Sequence, residues 1–423
     1  MKYLWLLCTS ALLFSLSGCG SSGAKGELVG VQGRKPYKQD VPYGMVYIPA
    51  GTFIMGQADQ DVTASRVAQN RQQTISPFYM DETEITNNEY RQFVLWVRDS
   101  IAAKTMGGNF VVKGEDGTEY INPKQKVNYS AKNNPNADQL KGMYYQGDDK
   151  ITGRNDWDVT KLVYQYTWFD LRAAALKQNR TKPRSSFIKR EKVTIYPDTL
   201  VWLADFSYAQ NEPMVQQYFS HPAFDDYPVV GVTWKQANAF CAWRTEFNNN
   251  YRDKNKKPRR GEVSLPTEAQ FEYAARGGRI GTDFPWGGPY IRNSKGCLLA
   301  NFKPGRGNYA DDGGFYTVHA KSYFPNDYGL YNMAGNVSEW TSETYDESSY
   351  TFTHDMNPTY RTQEDDMSSL AQRRKVVRGG SWKDIGFFLQ NGSRSYEYQD
   401  SAKSYIGFRC VAQHMGKQLG AKN

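Results

Sequence analysis

Glycine and tyrosine set the terms on which this chain can fold. Its 423 residues hold 37 glycines and 30 tyrosines against 21 phenylalanines, and long apolar runs are few. Such a chain cannot build its core from long amphipathic helices alone. It reads as a loop-rich fold whose turns are tied by side-chain hydrogen bonds. The length allows one large domain or two to three smaller ones, with ample material for a core. With 23% charged and 14% aromatic residues, the chain is a folded protein and not a disordered one. The net charge of +8 is consistent with an anionic surface or an acidic partner. Nucleic acid is excluded as a partner, because no helix-turn-helix, zinc-finger or RNA-binding signature accompanies the charge.

The first residues, MKYLWLLCTSALLFSLSGCGSSG, carry Lys2, a stretch of apolar residues and then Leu16-Ser17-Gly18-Cys19. The apolar stretch is shorter than the roughly 20 residues a spanning helix needs. It reads as a signal peptide over residues 1–18 that ends in a bacterial lipoprotein box. Cys19 is then the lipidation site, and more than one acyl chain gives stable anchoring. Gly20 after the cysteine fits outer-membrane sorting, and no acidic cluster follows it, which places the body on the periplasmic face. Residues 19–40 read as a lipid-anchored tether with an r.m.s. span of about 25 Å. Five cysteines are present. With Cys8 removed and Cys19 acylated, Cys241, Cys297 and Cys410 remain in an oxidising compartment, so at most one internal disulfide forms.

The body spans residues 41–415. Met45–Gly56 reads as two short strands around Pro49-Ala50-Gly51. Residues 75–102 read as a strand followed by a helix, with Thr86 and Glu89 in capping-box spacing and Tyr90, Phe93, Val94 and Val97 at helical apolar spacing. From about 104 to 226 Asn, Lys, Tyr and Asp dominate, and this stretch reads as an insertion, with VTIYPDTLVWLADF as strands inside it. Pattern returns at YPVVGVTWKQANAFCAWRTEF, a strand and then a helix turning Ala237, Phe240 and Cys241 inward, with Trp243 as an optional fourth. The basic run Lys254–Arg260 reads as an exposed loop. SLPTEAQFEYAARGG is a helix capped by Thr267, with Glu268 and Glu272 favourable near its positive end. GRGNYA has neither a preceding strand nor a following helix and is no dinucleotide site.

RGGSWKDIGFFLQNGSRS, residues 378–395, could be a catalytic loop or scaffolding. Its Gly-Gly pair suits tightly packed backbone, yet it has no Cys and no His, and Asp384 is its one carboxylate. Taken in order, PAGTFIMG, EITNNEY, PVVGVTW, LPTEAQFEYA, YGLYNMAGNVSEW, RGGSW and GFRC resemble the blocks of the formylglycine-generating enzyme (sulfatase-modifying factor) family. Phe271 stands where the family's helix has Trp. The resemblance covers residues 45–410 and implies an α+β fold, the C-type-lectin-like one of that family, here with a long insertion over 104–226. In the family's enzymes two cysteines after the Gly-Gly-Ser block hold copper as thiolates, which suit Cu(I). Here Lys383–Ser395 contains none. Related iron enzymes use histidines of an extra domain, whereas His221, His319, His354 and His414 have no ligand spacing. The resemblance thus implies no catalytic residue, no copper and no iron. It implies a structural Cys241–Cys410 disulfide with Cys297 left alone. It also implies two structural Ca²⁺ sites, one at Asn301, Phe302, Asp312 and Gly314 and one at Asn332, Gly335, Val337 and Glu339. The alternative is that Asp312 and Glu339 accept hydrogen bonds within their loops.

A narrower resemblance, carried by PYGMVYIPAG, YRQFVLWVRDSIA and the stretch from Tyr196 to Trp234, is to the lipoprotein family of the Bacteroidota gliding-motility and type IX secretion machinery. It implies a non-enzymatic outer-membrane lipoprotein that self-associates into a periplasmic ring with a GldN/PorN-type partner, near an outer-membrane protein and the inner-membrane motor proteins GldL and GldM. The insertion and the basic balance are the candidate contact regions. Two other classes stand against it: a lipid-anchored oxidase of the formylglycine-generating type, and a glycan-binding lectin-like module.

Overall fold

Two small sheets, neither continuous in sequence, carry the architecture. A computed structural model describes residues 37, 39–57, 67–114, 119–122, 124–129, 137–205, 207–208, 210–362 and 369–416. Pro49 supplies no N–H and ends β1 (Met45–Ile48) before β2 (Gly51–Met55) begins. The two strands around Pro49-Ala50-Gly51 therefore exist, but they do not pair with each other. β2 pairs antiparallel with β3 (Arg71–Ile75), while β1 pairs with β4 (Phe78–Asp81), Met45 opposite Asp81. The helix that follows, α1 (Asn87–Met106), starts on the expected capping box of Thr86 and Glu89 and buries Tyr90, Phe93, Val94 and Val97.

The described residues of the stretch 104–226 carry regular elements of their own. It forms two hairpins, β5 (Val111–Lys113) with β6 (Glu119–Ile121) and β7 (Val163–Phe169) with β8 (Ile188–Thr194), and several short helical turns. VTIYPDTLVWLADF departs from expectation. Its strand ends at Thr194, Pro197 breaks the ladder, and the Leu200 N–H donates to Asp198 Oδ1 at 2.9 Å to start the turn α2 (Val201–Ala204). Trp202 of α2 is 1% exposed and lies against Trp382, Tyr316 and Tyr218. The last third of the insertion thus contributes to the core of the body. YPVVGV also forms no strand. Its backbone bonds go to two different neighbours, Val229 N–H to the Ile85 carbonyl and Gly231 N–H to that of Lys403, so no ladder with one partner develops.

Helix α3 (Trp234–Lys254) is capped by Thr233 with Gln236 and buries Ala237, Phe240, Cys241 and Trp243. Facing α1, it stacks Phe240 on Tyr90 at 5.6 Å and sets Phe93 edge-on at 5.8 Å. After β9 (Val263–Ser264), helix α4 (Glu268–Arg276) is capped by Thr267, whose box partner is Gln270, and ends at left-handed Gly277. The remaining strands are β10 (Ser338–Thr344), β11 (Arg374–Arg378), β12 (Ser395–Tyr398), β13 (Ile406–Gly407) and β14 (Val411–Gln413). The first sheet runs β1-β4-β14-β9 and the second β12-β11-β10-β13, the β10–β13 pair being parallel. The first sheet, α1 and α3 enclose the larger aromatic core, and the irregular connections between residues 277 and 337 bury an apolar cluster of their own, Phe284, Leu298, Ala300 and Phe302 with Leu389.

Candidate functional site

Arg378–Ser395 begins at the end of β11. Both glycines of its Gly-Gly pair have positive φ, and a Cβ on Gly380 would lie 2.8 Å from the Phe388 carbonyl, a separation side chains do not tolerate. The turn packs Trp382 inward, with Nε1–H donating to the Ser404 carbonyl at 3.3 Å. Asp384 accepts from Ser381 Oγ at 2.6 Å, and its own carbonyl accepts the Lys303 N–H at 2.8 Å. Burial pushes the Asp384 carboxyl above the usual range. Residues 386–389 form a 3₁₀ turn whose Leu389 is buried among Phe284, Leu298 and Phe302. Where the enzymes of the resembled family need thiolates, this chain has a hydrogen-bonded aspartate and an apolar plug.

Both ends of the segment are clamped to α4. Arg378 donates from Nη2 to Glu272 at 2.5 Å and to the Asn391 carbonyl at 2.6 Å. Arg394 holds Glu268 in a fork, Nε to Oε1 at 2.7 Å and Nη2 to Oε2 at 2.9 Å. Arg276 brings a third guanidinium to the cluster, the second on Glu272, at 2.7 Å. Glu268 and Glu272, expected as partners of the helix's positive end, are both buried. Burial alone would raise Glu268, but Arg394 and Arg378 outweigh it and hold its carboxyl below the ordinary range. Such charge-assisted pairs fix geometry more than they add net stability.

Glu343 of β10 lies beyond this cluster without a fork of its own. Burial, reinforced by Glu268, raises its carboxyl from 4.5 to about 8. A carboxyl raised in the folded state favours folding while it is protonated. Its contribution is full below the unfolded value and is lost as pH climbs from 4.5 through 8. Glu343→Gln should therefore flatten the loss of stability between pH 5 and pH 8, about the two ends of that window, with the gain at the alkaline end. Urea denaturation at both pH values measures it, and an unchanged slope counts against the assignment.

The first cation set comes together. Phe302 N–H donates to Asp312 Oδ2 at 2.6 Å, Gly314 N–H to Oδ1 at 3.2 Å, and Asn301 Oδ1 lies 3.1 Å from where a Cβ on Gly314 would sit. The Phe302 and Gly314 carbonyls accept no hydrogen bond from the described residues. One carboxylate, one amide oxygen and two open carbonyls fit a hard cation. Asp312 has no cationic side chain against it, and burial raises its carboxyl.

The second set is brought together differently. Gly335 has φ 83°, and a Cβ there would lie 2.5 Å from the Asn301 carbonyl, so the two loops touch through a glycine. The carbonyls of Gly335 and Val337 are likewise open among the described residues. Glu339, however, is committed to Arg409, which reaches both its oxygens at 2.7–3.0 Å with both residues fully buried. The carboxylate at this loop that meets only amides is Glu84, which accepts from Asn332 at 3.2 Å and Asn336 at 3.0 Å. Burial first, with Glu339 adding, pushes it up to about 8. Sequence reasoning missed Glu84 and Asn336, although both lie inside the quoted blocks EITNNEY and YNMAGNVSEW. Among the described residues no group of three or more His, Cys, Asp or Glu side chains is arranged around a common metal position.

Cys241 of α3 and Cys410 before β14 are buried with their sulfurs 3.5 Å apart, two thiols in contact, and Cys297 is exposed. Burial pushes the Cys410 thiol well up, which leaves it a poor nucleophile. Cys19, the signal segment 1–18 and all of the tether before residue 37 lie outside the described residues. Among those described, no helix is long and apolar enough to cross a membrane.

These features define an α+β, loop-rich domain with a lectin-like core, in which buried guanidinium–carboxylate clamps secure the segment after Gly-Gly-Ser-Trp. The chain belongs to the sulfatase-modifying factor enzyme 1-like domain family, which it matches over residues 33–414. It is 26% identical over 377 residues to the formylglycine-generating enzyme of Mus musculus, covering 88% of this chain and 75% of the relative. It is 28% identical over 375 residues to inactive Cα-formylglycine-generating enzyme 2 of Bos taurus, covering 87% of each. The family therefore holds inactive members beside active ones. Among solved structures it is similar to PvdO from Pseudomonas aeruginosa, with 18% identity, 88% of this chain and 94% of that one covered, and a TM-score of 0.47.

Proposed function

We propose that this chain is a non-catalytic member of its family: a GldK/PorK-type lipoprotein, acylated at Cys19, held on the periplasmic face of the outer membrane and assembled into a ring of the type IX secretion and gliding-motility machinery with a GldN/PorN-type partner. The observation that carries the non-catalytic part is the content of Lys383–Ser395. It has no thiol and no imidazole, and its side chains are spent on an Asp384–Ser381 hydrogen bond and the Leu389 plug. The lipoprotein box at Leu16–Cys19 supports the anchoring, and the three sequence segments that match this lipoprotein family support the machinery.

The test is a pull-down from detergent-solubilised outer membrane. A stoichiometric periplasmic partner and ring-shaped particles are expected, with no copper or iron retained and no oxygen uptake. A redox metal at one per chain, with oxygen consumed in the presence of a thiol substrate, would establish the oxidase instead. Glycan binding without a protein partner would establish the lectin-like module.

Two structural roles complete the reading. In an oxidising compartment Cys241 and Cys410 close to a disulfide, so counting thiols in the denatured, unreduced mature protein should find one, Cys297, and three would refute the pair. Asn301, Phe302, Asp312 and Gly314 hold Ca²⁺, and Asn332, Gly335 and Val337 hold a second ion with Glu84 supplying the charge that Arg409 takes from Glu339. Saturating Ca²⁺ at 100 times its dissociation constant should stabilise the fold by about 2.7 kcal/mol per site. A chelator should lower the melting temperature, and Asp312→Asn should remove the part owed to the first site. A melting temperature indifferent to both leaves these loops held by hydrogen bonds alone.

A further inference from the structure

A long groove of about 2150 Å³ runs between α1 and α3 and is walled at one end by the β5–β6 and β7–β8 hairpins of the insertion. Small-ligand sites enclose about 300–1,000 Å³, so the groove has the size for a stretch of polypeptide. Its floor is aromatic. Trp96 lies 6.3 Å from Trp243 and 6.2 Å from Tyr164, and Phe247 stacks on Trp243 at 5.1 Å. Its walls leave Tyr120 and Tyr251 more than half exposed, at 53% and 62%.

Ion pairs within the wall leave the cations in excess around this floor. Asp99 is taken by Arg98 and Asp253 by Arg259, while Glu89 is bonded into the α1 cap and Glu246 accepts from Tyr164, neutral donors that leave both charges in place. Glu89, Glu119 and Glu246 are thus lining carboxylates outside any ion pair among the described residues. Against them stand Lys104, Lys126, Lys192 and Lys254, all exposed and likewise in no ion pair among the described residues, with Arg260 as a further lining cation. Aromatic floors with a polar, charged rim are the anatomy of protein-binding grooves.

We propose that this groove is a docking site for an acidic segment of a partner protein that carries large apolar side chains. The apolar side chains would lie on Phe247, on the open part of Trp96 and against Tyr120 and Tyr251, and the carboxylates would meet the four lysines. The inference deepens the proposed function, in which the ring partner would supply the segment. A planar bilayer could meet the lysines but could not reach the recessed floor.

The test uses the detergent-solubilised full chain and an 18-residue amphipathic helical peptide with Glu on its polar face and Leu and Phe on the other, beside its Lys-for-Glu counterpart. The acidic peptide should bind about tenfold tighter or better, and Lys104→Glu/Lys126→Glu/Lys192→Glu/Lys254→Glu should abolish that preference. Tyr120→Ala/Tyr251→Ala should weaken both peptides alike. Equal binding of the two peptides, or a preference that survives the four reversals, overturns the proposal. So does a loss confined to phosphatidylglycerol vesicles, which assigns the lysines to lipid. In the second arm the four-reversal chain should lose the GldN/PorN-type partner in the pull-down. A partner retained by that variant overturns the groove while the function stands. A wild-type chain that brings down no such partner ends the functional reading and leaves the peptide arm to decide the groove.

Discussion

Arg409→Met should cost about 3–5 kcal/mol, the range for breaking one side of a buried ion pair. Arg409 is fully buried and does more than neutralise Glu339. It also donates to the carbonyls of Asp81, Glu82 and Tyr331, tying β4, the loop before β10 and the second sheet to one guanidinium. Burial disfavours its charge, but Glu339, followed by Glu84 and Asp81, raises its affinity for the proton overall. Without it two carboxylates, Glu339 and Glu84, stand buried beside each other, with the Asn332 and Asn336 amides to meet Glu84 alone. Urea denaturation measures the loss. Arg409→Lys should recover charge but not the fork, and so only part of the stability. Arg409→Met/Glu339→Gln should recover more than Arg409→Met alone, because it removes the stranded charge. An Arg409→Met chain as stable as a surface substitution would show that the cluster is not a keystone.

Trp202→Ala should cost about 3–5 kcal/mol, as large-to-small changes of buried tryptophan do. The expectation follows from where the insertion puts this side chain. Trp202 stacks on Trp382 at 6.1 Å and 16°, meets Tyr316 edge-on at 5.6 Å, and lies 4.9 Å from Tyr218. Asp205 next to it accepts from Ser404 at 3.0 Å through the backbone and 2.9 Å through the hydroxyl, so the turn is pinned on both sides. The variant should lose stability globally, and proteolysis should open first around residues 197–226. Trp168→Ala, on the partly exposed face of the β7–β8 hairpin, should cost less. Equal costs would mean that the insertion is an appendage after all.

What could be read from the chain, and what could not, divides by distance in sequence. Thr86 with Glu89 and the spacing of Tyr90, Phe93, Val94 and Val97 are local signals, and the helix they describe is the one that forms. Phe240 and Cys241 follow the same rule in α3. The Glu339–Arg409 pair was not legible, because nothing local distinguishes a calcium-ligating glutamate from one committed to a distant arginine. Trp202 was missed for a related reason. β-branched residues and tryptophan in a polar stretch suggest a strand, and only the pocket beside Trp382 makes a helical turn the better place for it. YPVVGV shows the same limit: it reads as a strand, but a strand needs one neighbour along its length, and here Ile85 and Lys403 share the work.

The order β1-β4-β14-β9 has a consequence in time. β4 ends at Asp81, and the strand that flanks it, β14, starts at Val411, so nearly the whole chain must exist before the first sheet can close. At synthesis rates of about 5–20 residues per second the early strands wait tens of seconds with one edge open. Arg409 and Cys410 arrive in the same last instalment, bringing the guanidinium for Glu339 and the sulfur for Cys241 together with the missing strand. The closing act of the fold is therefore a single event at the C-terminal end. A ribosome or translocase that stops a few residues short leaves behind a chain with an unpaired strand edge and two stranded carboxylates, a ready target for proteolysis and aggregation.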